Sequence, residues 1–366
     1  MRLRFERGRP DSLESLHPAY FALVMATGIV ALATRLHGLD VVPKLLFWLN
    51  AVFIVALITV TIARIVRYRA AFMADISSHS RGVGFFTVVA AFGVFGSQLV
   101  LQMAMPKLAV LVWLATALLW LVVTYGVLTA LTIKPEKPTL VDGLNGGWLV
   151  IVVATQSVSI LTVLIFHGGA ASDLQQALIF AALVLWLGGG ALYLWLMTLI
   201  FFRYTFLRMA AADLTPPYWI SMGAVAISTL AGATLLEHSA ASAIVAQLAP
   251  FVKGMTLFFW AIGSWWIPML VVLGIWRYLI CGVPFAYDPL YWGGVFPLGM
   301  YSVCTYHLAN VLGASFLVPL SGAFMIIAVA AWAVTLVGLV DSRFNIKARR
   351  DARPIPRQAQ EGESRK

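Results

Sequence analysis

Residues 146–167 read GGWLVIVVATQSVSILTVLIFH, twenty-two positions without one Lys, Arg, Asp or Glu. At about 1.5 Å of rise per residue, a helix of that length spans a hydrocarbon core about 30 Å thick. Lipid offers the backbone no hydrogen-bonding partners, so a lone run of this kind crosses a membrane only as an α-helix. Midway along it stand Thr155, Gln156, Ser157 and Ser159, neutral hydrogen-bonding side chains in an otherwise apolar span.

The pattern repeats in both directions along the chain. Apolar runs occupy about 17–37, 43–66, 83–104, 107–132, 146–167, 174–202, 217–236, 252–280, 291–312 and 316–340, which makes ten. Composition agrees: 61% of the 366 residues are hydrophobic and 11% charged, and mean hydropathy is +0.91. Soluble domains carry about 45–50% apolar and about 25% charged residues. An ordinary soluble domain, a disordered chain and a nucleic-acid-binding module are thereby excluded. The net charge of +10 sits on the tails and between apolar runs, with no basic face behind it.

Twenty-one of the twenty-five Lys and Arg residues fall in or beside the N-terminus, the 2–3, 4–5, 6–7 and 8–9 loops and the C-terminus. Arg35, Lys44, Lys107 and Lys253 make up the other side. The positive-inside rule then puts both termini in the cytoplasm of a multi-pass cell-membrane protein, which demands an even number of spans. The organisation expected is a cytoplasmic segment 1–16, a transport domain 17–340 and a basic cytoplasmic tail 341–366, disordered beyond about residue 350. The N-terminal run shows no small-residue cleavage site and is expected to be a retained first span.

Odd and even spans differ. Gly, Ser, Thr, Asn, Gln and Cys supply 30 of 107 residues in the odd spans and 23 of 133 in the even ones. That asymmetry fits five helical hairpins, the first helix of each facing a polar interior and the second facing lipid. Small residues that merely allow close helix packing would leave a similar trace.

All fifteen carboxylates lie at span ends or in loops. Proton-coupled pumps and cation transporters place Asp or Glu within the membrane, so the pattern favours an anion pathway. Only His307 among six histidines lies well inside a span, and haem needs facing pairs. Cys281 and Cys304 form no metal-binding spacing and are expected to be buried and inert. No HExxH, GxSxG or Walker loop occurs. No enzyme, cofactor or metal is expected.

Span 9 is the most informative for function: Tyr291-Trp292-Gly293-Gly294-Val295-Phe296-Pro297-Leu298-Gly299, then Ser302, Cys304, Thr305, His307 and Asn310. A proline inside a helix removes a hydrogen bond and bends the chain. Phe296 beside it, roughly 8–12 Å into the membrane, could plug a narrow pore and gate it; ordinary packing is the competing role. Candidate pore-lining residues are Thr27 and Gly28 in span 1, Gln98 in span 3, Gln156 and Ser157 in span 5, Ser221 and Gly223 in span 7, and Pro297 and His307 in span 9. Helix–helix contact is the competing role for each. Arg203, Arg208 and Arg277 at cytoplasmic span ends could draw anions into a vestibule or simply anchor the topology. Trp260, Trp265, Trp266 and Pro268 look like lipid-facing bulk with a kink.

Several motifs together resemble one family. They are Val24-Met25-Ala26-Thr27-Gly28-Ile29-Val30, Asn145-Gly146-Gly147-Trp148, Pro216-Pro217-Tyr218-Trp219, and Tyr291-Trp292 with Val295-Phe296-Pro297-Leu298. Across about residues 17–340 the chain resembles the tellurite-resistance/dicarboxylate transporter family, which includes plant slow-type anion channels and fungal malate and sulfite transporters. The resemblance implies an all-α integral membrane protein of ten transmembrane helices, paired as five hairpins around a central pore. It also implies a homotrimer with one pore per subunit, Phe296 as the residue occluding that pore, and passive movement of small anions. The cargo implied is inorganic anions or C4-dicarboxylates such as malate. The long phosphorylatable tails of the plant channels are missing. Two other readings stand beside this one: an ion-coupled ten-helix metabolite or drug exporter, and a membrane-embedded enzyme or structural subunit.

Overall fold

The computed structural model describes residues 13–168, 172–283 and 287–351, with side chains as far as residue 342. Most of the expected segment 1–16 and of the tail 341–366 lies outside the described residues, including the stretch expected to be disordered. Ten long helices carry the fold: α1 (Ala22–Leu36), α2 (Val41–Arg67), α3 (Phe86–Leu101), α4 (Pro106–Ile133), α5 (Val150–Phe166), α6 (Asp173–Phe206), α7 (Ile220–Glu237), α8 (Ala243–Ile275), α9 (Trp292–Leu312) and α10 (Val318–Asp351). No strand occurs among the described residues. Among the described residues, nine helices are long and apolar enough to cross a membrane. The expected ninth span, α9, is not among those nine; its Gly, Tyr, Ser, Thr, His and Asn residues dilute its apolar character.

Each odd helix opens with a 3-10 turn: Pro18–Phe21, Gly82–Phe85, Gly146–Leu149, Pro216–Trp219 and Pro289–Tyr291. Three of these begin with proline, which fits the first turn because its missing N–H would have no partner there. Side chains cap three of them. The Ala19 N–H donates to His17 Nδ1 at 3.1 Å, the Gly147 N–H to Asn145 Oδ1 at 2.8 Å, and the Leu290 N–H to Asp288 Oδ1 at 2.7 Å. The five hairpins therefore start alike.

The odd helices form a closed ring in which α1, α3, α5, α7 and α9 pack in turn and α9 closes on α1. A glycine marks every seam. A Cβ on Gly28 would come within 2.5 Å of Val94, on Gly93 within 2.5 Å of Ser157, on Gly146 within 2.5 Å of the Pro217 carbonyl, on Gly223 within 2.7 Å of Pro297, and on Gly299 within 2.8 Å of Ile29. At each of these positions a side chain would force its neighbour across the seam to shift.

The even helices wrap the ring, each packing on its own hairpin partner and on the next odd helix. Indole N–H groups need partners when buried, and they find them across that second contact. Trp113 and Trp120 of α4 donate to Thr162 and Thr155 of α5, Trp186 of α6 to the Ser228 carbonyl of α7, Trp260 of α8 to Thr305 of α9, and Trp332 of α10 to Thr27 of α1. Between α2 and α3 the same contact uses Asn50 Nδ2, which donates to Gln98 Oε1 at 2.7 Å.

Burial follows this plan. In the most apolar stretches of α1, α3, α5 and α7 with their opening turns, 78–89% of positions are buried, against 11–39% in those of the even helices. The odd-inside, even-outside arrangement expected from composition is present. Two details differ from expectation. Trp266 is buried at 4% exposure while its neighbour Trp265 faces outward, because successive residues on a helix point about 100° apart. Cys281 is exposed, since it follows the end of the eighth helical rod; Cys304 is buried.

Candidate functional site

Two cavities occupy opposite ends of the ring, and all five odd helices or their opening turns contribute to each. The first, about 470 Å3, lies at the N-terminal ends. The second, about 220 Å3, lies toward the C-terminal ends. The residues reaching them form one face of each helix. In α9 the series is Gly293 and Phe296 on the first cavity, then Met300, Val303 and His307 on the second. In α5 it is Val150 and Val153, then Ser157, Ile160 and Leu164; in α1, Ala22 and Met25, then Ile29, Leu32 and Leu36. Steps of three and four residues keep such a series on one helix face.

The cavities are separated by about one helical turn, roughly 6 Å from Phe296 to Met300 along α9. Phe296, Met300, Ile29 and Ile227 are each 1% exposed, and Met25 is 2%. A layer of buried apolar side chains thus separates the two cavities, with Phe296 on its N-terminal side. The polar interior expected from composition is present only toward the ends.

Of the sequence-predicted residues, Phe296 lines the first cavity, and Ser157 and His307 line the second. Thr27, Gly28, Gln98, Gln156, Ser221, Gly223 and Pro297 line neither. Thr27 accepts the Trp332 indole N–H at 3.0 Å. Gln98 holds Asn50 and donates to Gln102. Gln156 Nε2 donates to the Trp186 carbonyl and to Ser228 Oγ. The Ser221 carbonyl accepts the Tyr193 hydroxyl at 3.0 Å. Gly28, Gly223 and Pro297 sit in ring seams. Polar residues in these helices are consumed mainly by contacts with the outer layer. The apolar residues Met25, Ile29, Val153, Ile220, Ile227 and Met300 carried no polar signal; helical periodicity through Phe296 could have found Met300 alone.

Electrostatics differ between the two ends. Five helix N-termini converge on the first cavity, and each presents the positive end of its dipole. Arg81 and Arg203 line it with Asn145, Thr87 and Thr215. Arg81 shares Asp75 with buried Arg64: Arg64 Nη2 donates to Oδ2 at 2.7 Å, and Arg81 Nε to Oδ1 at 2.6 Å. Arg64 and Arg81 also hold the Glu14, Ser15 and Leu16 carbonyls, which fixes the entry into the first span. His17, just ahead of that span, has its pKa pushed down to about 4 by burial and then by Arg81. It stays neutral and accepts the hydrogen bond that caps the turn. At the other end Glu237, bonded by His307 Nδ1 at 2.8 and 2.9 Å, lines the second cavity with Arg35 and His238. No cluster able to hold a metal ion occurs among the described residues.

Comparison with known proteins gives a consistent result. The family model described as voltage-dependent anion channel matches residues 15–340. An uncharacterized transporter from Methanocaldococcus jannaschii is 22% identical over 344 residues, covering 91% of this chain and 96% of the relative. A second one from the same organism is 22% identical over 338 residues, covering 89% and 93%. An uncharacterized membrane protein of Mycobacterium tuberculosis is 37% identical over 149 residues, 41% of this chain and 75% of the relative.

Proposed function

We propose that this chain, which belongs to the voltage-dependent anion channel family, moves small anions passively along the axis of its five-helix ring, with the Phe296 side chain as the gate. One observation carries the reading: two cavities on a common axis, lined by the same helix faces, are parted by about one turn of apolar side chains that includes Phe296. The positive ends of five helix dipoles at the first cavity favour anions over cations. A buried phenyl ring can rotate out of an apolar constriction without breaking a hydrogen bond, and hydrophobic constrictions close by excluding water. Inorganic anions and C4-dicarboxylates are both candidate cargo. In this reading the protein sits in the cell membrane with both termini cytoplasmic, which makes the first cavity the cytoplasmic vestibule, and it assembles as a homotrimer with a pore in each subunit. It has no enzymatic role.

The test is anion uptake by proteoliposomes. Phe296→Ala is expected to raise uptake several-fold over wild type, and Phe296→Leu to raise it less. A folded Phe296→Ala protein with wild-type uptake refutes the gate. A wild-type protein that moves none of chloride, nitrate, sulfite or malate refutes the transport function.

A further inference from the structure

We propose that Arg203 forms a resident binding site for a small monovalent anion in the first cavity, ahead of the Phe296 constriction. The inference rests on the transport reading above and names the point at which the cargo pauses. Arg203 stands in the last turn of α6 and is 4% exposed. Its Nη1 donates to the Leu144 carbonyl and to the Tyr218 hydroxyl, and its guanidinium carbon lies 5.8 Å from the centre of the Tyr218 ring. Both partners are neutral. Among the described residues the ion pairs are Arg64–Asp75, Arg81–Asp75 and His307–Glu237, and none includes Arg203. Its Nε is sealed in the protein without a partner. Nη2 donates to no described protein group, and the residue lines the cavity; Nη2 is the nitrogen left to face a ligand.

A buried cation without a compensating charge is strongly destabilising. The C-terminal end of α6 offers only partial negative charge, while five helix N-termini add positive potential to the same cavity. An anion on Nη2 supplies both the missing charge and the missing acceptor. Asp142 and Asp213 line the cavity too, but both are exposed and engaged elsewhere. Asp142 Oδ2 accepts from Thr139 at 2.7 Å, and Asp213 Oδ2 from the Ala210 N–H at 3.0 Å. Arg81 is engaged by Asp75, which it shares with Arg64, so among the described cavity arginines Arg203 is the guanidinium outside any ion pair. A second charge on the cargo would meet the two aspartates. The site therefore suits a halide or a nitrate-like oxyanion better than a dicarboxylate.

The purified full-length protein is titrated with sodium bromide against sodium gluconate at constant ionic strength while its thermal unfolding midpoint is followed. A ligand that binds only the folded state raises the midpoint with concentration. Wild type is expected to show a saturable rise, Arg203→Lys a rise displaced several-fold to higher bromide, and Arg203→Gln none. Arg203 also ties α6 to the turns before α5 and α7, so bromide-soaked wild-type crystals supply a second measurement that does not depend on Arg203→Gln folding. Those are expected to show an anomalous peak in contact with Nη2. A folded Arg203→Gln protein that titrates like wild type, or a bromide peak elsewhere in the cavity with none at Arg203, overturns the proposal. A midpoint raised by malate at lower concentrations than by bromide overturns the monovalent assignment. Chloride flux in liposomes is read separately: flux without a bromide site refutes only this inference, and a bromide site without flux refutes only transport.

Discussion

Replacing Gly223 with alanine probes the ring and the proposed Phe296 gate together. The added Cβ would lie 2.7 Å from Pro297 Cγ and 2.9 Å from Pro297 Cβ. Carbon atoms settle at about 3.5–4.0 Å, so α7 and α9 must separate by about 1 Å. Overpacking of this kind costs about 1–3 kcal/mol, of which the better helix propensity of alanine returns about 0.5–1 kcal/mol. Gly188→Ala is the control. Its Cβ meets nothing within 4 Å on the exposed face of α6, so only the gain remains. The two variants are expected to move the thermal unfolding midpoint in opposite directions. Pro297 follows Phe296 directly, so displacing it shifts the phenyl ring, and Gly223→Ala is also expected to leak anions in liposomes while Gly188→Ala does not. Equal midpoints for the two variants would refute the close seam. A destabilised Gly223→Ala protein with wild-type flux would refute the coupling of seam to gate.

Asp75→Asn leaves Arg64, 3% exposed, without its carboxylate; thermal unfolding is expected to show a loss of about 3–5 kcal/mol. Thr27→Val strands the Trp332 indole N–H and is expected to cost about 1–3 kcal/mol with anion uptake per folded molecule unchanged, as measured by unfolding and liposome flux on one preparation. His238, just beyond α7 and stacked on His167 at 4.0 Å, has its pKa lowered by burial and then by His167. Its contribution to stability is complete above the unfolded value of about 6.5 and declines as pH falls through the lower folded value. An unfolding series from pH 8 to 5 is expected to show that decline and to show it flattened in His238→Gln.

The layering of this fold was legible because lipid enforces it. Runs such as 146–167 can be nothing but helices, and the small-residue bias of the odd spans separated the inner ring from the outer belt. The candidate site was legible only in part. Phe296, Ser157 and His307 do face the axis cavities. Thr27, Gln98 and Gln156 have the same chemistry but point the other way, because Trp332, Asn50 and the Trp186 carbonyl stand ready to bond them. A hydroxyl or amide in an apolar helix has two places to go, and its own neighbours in sequence do not say which. The apolar axis residues were hidden for the converse reason: a methionine lining a constriction is indistinguishable in sequence from one in a core.

The sequence by itself determined the helices, their pairing into hairpins and the family, since each follows from hydropathy, charge placement or short motifs along one strand of text. Tertiary structure alone decided which face of each inner helix meets the cavities, which glycines close the five seams, and that Arg203 lies buried outside every ion pair among the described residues. Those depend on how far neighbouring backbones can approach and on which hydrogen-bond donor lies across the gap, and both are properties of pairs of helices rather than of any one.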